Sequence, residues 1–174
     1  MSPVKVLVLG HSFIRRLQDY IQLLHSRDNF GLSRDTHSVC FCSCPTILQL
    51  SNHYGIIAQL QPDVVILDVG TNDLDNGLFP PNVLADILFH FAESLQQHFK
   101  VRHIVILEVF FRTELGQFAP RSPGFNASVH QFNNKCKFLS TSKPLPERFC
   151  HFWHHSGMVA NWQQYIVDGV HLTQ

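Results

Sequence analysis

The sequence has no surplus of charge of either sign: 13 Lys and Arg are balanced by 13 Asp and Glu over 174 residues. A chain without a net field exerts no general pull on nucleic acid phosphates or an anionic membrane. Its basic residues Arg15, Arg16, Lys100, Arg102, Lys135 and Lys137 read as scattered, solvated helix faces, so no nucleic-acid binding by this domain is expected. No apolar stretch approaches the roughly 20 residues that a membrane-spanning helix needs. The N-terminus lacks a charged segment followed by a long apolar one, and the five cysteines are odd in number without framework spacing. These absences argue against a secreted disulfide scaffold and predict a reduced, cytoplasmic protein. Internal repeats, low-complexity tracts and a second domain are missing too, so residues 1–174 are expected to form one domain.

What is present is a composition of 45% hydrophobic and 15% charged residues with fifteen Phe, which suits a packed apolar centre. Residues 4–9, apolar and rich in valine, end at Gly10 and read as a buried strand feeding a turn. From Ser12 onward Ile14, Leu17, Ile21 and Leu24 recur at steps of three and four, the signature of an amphipathic helix. The alternation then repeats. Residues 37–41 read as a strand, 47–60 as a helix interrupted near Gly55, and 64–69 as a strongly apolar strand. After Pro80-Pro81 the stripe Leu84, Ile87, Leu88, Phe91 and Leu95 predicts a long helix, and 104–109 a further strand. Val129, Phe132, Cys136 and Leu139 mark another helix, 149–153 a last strand, and 168–174 a terminal loop. Regular alternation of this kind predicts a parallel sheet covered by helices on both faces, because parallel strands need crossover connections.

In such a sheet ligands bind at the carboxyl ends of the strands. Three loops there carry chemistry. Gly10-His11-Ser12 sets a hydroxyl and a backbone N–H at a strand-to-helix turn, although serine also serves as an ordinary helix cap. Gly70-Thr71-Asn72-Asp73 offers a side-chain amide able to donate to an oxyanion, although it also suits an Asx-rich turn. Asp168-Gly169-Val170-His171 puts a carboxylate three residues before an imidazole. A carboxylate so placed can hold Nδ1–H and leave Nε2 to take a proton from serine.

Together the three loops resemble the SGNH (GDSL-like) hydrolase superfamily, whose blocks are a Gly-Asp-Ser-type nucleophile loop, an oxyanion glycine, a Gly-x-Asn-Asp loop and a C-terminal Asp-x-x-His. The matches come in the same order and span essentially the whole chain. The resemblance implies an α/β fold of three layers, α/β/α, around a flavodoxin-like five-stranded parallel sheet. It implies a serine esterase or deacylase acting on a small acyl ester through an acyl-serine intermediate, with no cofactor and no metal. Ser12 would be the nucleophile, His171 the base and Asp168 its orienting partner; Asn72, Cys44 and the Ser12 backbone N–H would form the oxyanion hole. The Gly-x-Ser-x-Gly elbow of α/β-hydrolases is absent, since Ile14 stands where the second glycine would be.

The chain departs from the family at three points. His11 stands where the nucleophile loop normally has Asp, and Cys44 where the oxyanion glycine falls. The helix that follows the Asp-x-x-His loop in the family has no counterpart before Gln174. A second reading is therefore a catalytically weak or inactive SGNH-fold binding module, as a domain of a larger or mobile-element-encoded protein. Two other clusters invite metal readings. Cys40, Cys42 and Cys44 share one face of an extended strand, where buried hydrophobes are the commoner outcome. His151, His154 and His155 surround Trp153 without an accompanying carboxylate or cysteine motif, which favours packing, loop hydrogen bonds or a place lining the cleft near the active site. Phe13, Phe110, Phe111, Phe118 and Phe125 are candidates for an apolar lining.

Overall fold

The computed structural model of the chain describes residues 2–23, 28–113, 119–142 and 149–155. Five strands, β1 (Val4–Gly10), β2 (His37–Ser43), β3 (Val64–Asp68), β4 (His103–Leu107) and β5 (Cys150–Trp153), form one sheet in the order β2-β1-β3-β4-β5. Every neighbouring pair is parallel. This is the doubly wound order of flavodoxin-like sheets, in which the chain leaves β1 toward one edge and returns to build toward the other. The switch point therefore lies between β1 and β3.

Register decides which side chains meet. Cys40, Leu7, Val65, Ile104 and Cys150 lie in one row across the sheet, and Cys42, Leu9, Leu67, Ile106 and Phe152 in the next. Both rows pack into the main core with α4 (Pro81–Phe99) and α5 (Phe125–Thr141). Strand alternation sends Val8 to the opposite face, toward α1 (Ser12–Leu23) with its buried Ile14 and Ile21. Helices thus cover both faces, giving three layers. In α4, Pro81 occupies the first turn, and Leu84, Leu88, Phe91 and Leu95 are buried at helical spacing. Cys40 and Cys42 pack against the core and Cys44 is fully buried, all three as free thiols.

The expected helix over 47–60 is two pieces, a 3-10 segment Ile47–His53 and α2 (Tyr54–Leu60). The break falls between His53 and Tyr54, next to Gly55, and His53 Nε2 lies 3.0 Å from the Ser43 carbonyl oxygen. A short helix α3 (Thr71–Asn76) stands where the sequence reads as a turn. It is closed by Gly77 in the left-handed region (φ 62°) and anchored by buried Leu74. Leu24, Phe118 and the loop 168–174 lie outside the described residues. Among the described residues no helix is long and apolar enough to cross a membrane.

Candidate active site

Two of the three predicted loops meet at the switch point. Ser12 is exposed and begins α1, where the unpaired N–H groups of a helix start favour developing negative charge. Its turn is tied to both neighbouring strands: Cys44 N–H donates to the Gly10 carbonyl at 2.7 Å, and His11 N–H to the Asp68 carbonyl at 3.2 Å. Gly10 permits this closeness, since a Cβ there would collide with Ile14 and lie 2.9 Å from Asp68 Cβ.

Across the crevice, Gly70 holds φ 114°, and a Cβ on it would stand 3.1 Å from the Phe132 ring. The positive φ calls for glycine, and the tight contact adds to the demand. The turn delivers Asn72, whose Nδ2 donates to the Pro45 carbonyl at 2.8 Å. An amide carries two hydrogens, so one remains for a ligand. Asp73 is buried and its carboxylate accepts the Ile47 N–H through both oxygens, at 3.1 and 3.0 Å. Burial pushes the Asp73 carboxyl above its usual range, and the backbone N–H groups of Ile47 and Leu48 oppose that shift. Burial also pushes the Cys44 thiol up to about 11, so it stays protonated at neutral pH.

The third loop, with Asp168 and His171, lies outside the described residues.

The site holds a carboxylate that the motif reading passed over. Asp68, at the end of β3, is only 8% exposed; its Oδ1 lies 3.7 Å from His11 Nε2, and its Oδ2 has no hydrogen-bond partner among the described residues. The signal was there: an acid interrupting the apolar run 64–69. Burial pushes its carboxyl pKa up, while His11 and His155 pull it down less strongly. Nearby, Arg112 donates to Asp75 at 3.1 Å and lies 5.1 Å from the Phe125 ring centroid. His154 Nδ1 meets Glu108 at 2.8 Å, and the same carboxylate accepts the His155 N–H at 3.1 Å. His155 packs its ring on Phe110, and burial holds its pKa below the usual imidazole value. Two of the three clustered histidines therefore brace the loop after β5. Among the described residues, no group of three or more His, Cys, Asp and Glu is arranged to hold a metal ion.

A cavity of about 20 Å³ opens beside the Ser12 turn, lined by His11, Phe13, Asp68, Thr71, Phe110, Phe111 and Arg112. Three of the five candidate phenylalanines line it. Phe125 sits instead in the main core beneath Arg112.

Asp68 gives a stability prediction. Its raised carboxyl pKa means that holding the charge costs the folded state at neutral pH. As pH falls through that raised pKa, the folded protein takes up a proton before the unfolded chain does, and the cost disappears. Asp68→Asn is expected to melt above wild type at neutral pH, with the gap closing toward acid. Thermal scans across pH check this; a variant melting below wild type at neutral pH would show that the histidine contacts outweigh burial.

No protein-family model and no curated protein matches the sequence. Solved structures do match the fold. A GDSL-like lipase from Bacteroides thetaiotaomicron superposes with a TM-score of 0.69 at 16% identity, over 98% of this chain and 80% of that one. An acetyl xylan esterase gives 0.70 at 16% identity, over 98% and 92%. TesA gives 0.63 at 18% identity, over 97% and 89%. The class these define is the α/β fold of SGNH hydrolases. The chain has that fold from β1 to β5, and the resemblance drawn from its loops agrees with it.

Proposed function

We propose that the chain is a serine esterase that cleaves small acyl esters through an acyl-Ser12 intermediate. The observation that carries the reading is the meeting of the Ser12 turn and the Gly70-Asn72 turn at the switch point of an SGNH-type sheet. That the superposed structures include a GDSL-like lipase and an acetyl xylan esterase supports the same chemistry.

In this reading His171 Nε2 takes the Ser12 hydroxyl proton as Oγ attacks the ester carbonyl, and Asp168 orients the imidazole. The Ser12 N–H and the second Asn72 amide hydrogen hold the oxyanion. Cys44, the third expected donor, gives its N–H to Gly10 and so fixes the turn that carries Ser12. The tetrahedral intermediate collapses, the alcohol leaves with the proton from His171, and water attacks the acyl-serine to release the acid. The acyl group is taken to be small, an acetyl or short acyl chain, in keeping with the acetyl xylan esterase among the superposed structures.

A fluorophosphonate probe tests the nucleophile, since only an activated serine reacts quickly. Rapid labelling, mapped to Ser12 by mass spectrometry, is expected together with faster turnover of p-nitrophenyl acetate than of the octanoate. An unlabelled Ser12 in folded protein would overturn the esterase reading and leave a binding module.

A further inference from the structure

We infer that His11 and Asp68 form a brace across the two oxyanion-donating turns, making His11 a positioning residue for the chemistry at Ser12. The inference rests on the esterase reading above and deepens it. His11 immediately precedes Ser12, and the groups its ring reaches, Thr71 and Asp68, lie on the β3 side of the switch point. Its Nδ1 lies 3.4 Å from the Phe13 nitrogen, which can only donate, so Nδ1 is the bare nitrogen and Nε2 bears the proton. That N–H is then directed at Thr71 Oγ1, 3.3 Å away, with the Asp68 carboxylate at 3.7 Å.

Each end of the brace adjoins an oxyanion donor. At one end, His11 is bonded through its backbone to Asp68 O and is followed by the Ser12 N–H. At the other, Thr71 precedes Asn72, and Asp68 ends the strand that leads into Gly70. Oxyanion donors work by standing in place before charge develops, and displacement of reacting groups by about 1 Å can cost on the order of 10²-fold in rate. A buried carboxyl group with one oxygen unpartnered among the described residues is costly to keep. Its place against the imidazole gives that cost a function: the carboxyl group helps to hold the ring in its orientation. In this chain an imidazole thus spans the crevice from the position where the family normally has Asp.

Steady-state ester hydrolysis by His11→Asn, His11→Gln, Asp68→Asn and the His11→Asn/Asp68→Asn double variant tests the brace. Asn keeps an acceptor near Nδ1 but cannot reach Thr71; Gln keeps a donor near Nε2. His11→Asn is expected to lower kcat about 10- to 100-fold with KM within about 3-fold, and Gln to restore most of it. Asp68→Asn is expected to lower kcat without lowering stability, and the double variant to be no slower than His11→Asn. If His11→Asn keeps wild-type kcat while Ser12→Ala is dead, the brace is wrong and the esterase reading stands. A change confined to KM also overturns it. Should wild type prove inactive, imidazole ¹⁵N spectra still decide: the brace requires bare Nδ1 and protonated Nε2 on His11, shifted by Asp68→Asn, and the opposite tautomer refutes it.

Discussion

Replacing Ser12 by Ala is expected to lower turnover of p-nitrophenyl acetate by on the order of 10³-fold or more, to the level that oxyanion donors and binding alone sustain. The size of the loss follows from the covalent route. Without Oγ no acyl-enzyme forms, and water must attack the ester directly, without a nucleophile fixed in that place. His171→Ala is expected to cost a similar factor, because an unactivated hydroxyl is a poor nucleophile at neutral pH. The double variant should be no slower than either single one, since a nucleophile and its base act as a unit. Initial rates under saturating ester, with circular dichroism to show that each variant is folded, make the comparison. Wild-type rates no faster than both variants would sink the triad assignment.

Asp73→Ala is expected to destabilise the protein by about 3 kcal/mol, the scale for losing charge-assisted hydrogen bonds and stranding a buried N–H. Asp73 lies on α3, yet its carboxylate caps the start of the 3-10 segment Ile47–His53 by accepting the Ile47 N–H through both oxygens. Thr46, the residue at that N-terminus, makes no side-chain cap of its own, so the distant carboxylate does its work. Asp73→Asn keeps one acceptor oxygen and is expected to fall between wild type and Ala. Urea unfolding measures the order. An Ala variant within about 1 kcal/mol of wild type would show that solvent replaces the cap at little cost. The same loss should loosen the 44–47 stretch, whose Pro45 carbonyl holds the Asn72 amide.

Much of this architecture was legible in local pattern. Val4–Gly10 and Val64–Asp68 are strands because valine-rich apolar runs suit a buried strand; the first ends in Gly10 and the second leads through Val69 into Gly70, glycines whose lack of Cβ the structure uses. The stripe through Leu84, Leu88, Phe91 and Leu95 announced α4 for the same reason that buries it. Regular alternation of the two patterns predicted the parallel sheet. The helix α3 was not legible, because six residues rich in Asn and Asp carry turn propensity, and buried Leu74 with the Gly77 closure overrides it. The interruption near Gly55 was legible and falls between His53 and Tyr54, beside the His53 contact with the Ser43 carbonyl.

Ser12 came from the sequence because a glycine-to-serine turn after a strand is a local feature. What surrounds it is not local. The Asp73 bonds to Ile47 span 26 positions, and the His11 contact with Thr71 spans 60. The sequence by itself determined the order of strands and helices, the parallel sheet and the turns that bear Ser12 and Asn72, since each depends on the periodicity and backbone freedom of neighbouring residues. Only the tertiary structure decided that His11 reaches Thr71 and a buried Asp68, and that Cys44 ties down Gly10. Those outcomes depend on which strand ends the doubly wound sheet brings together, and that choice is made by packing.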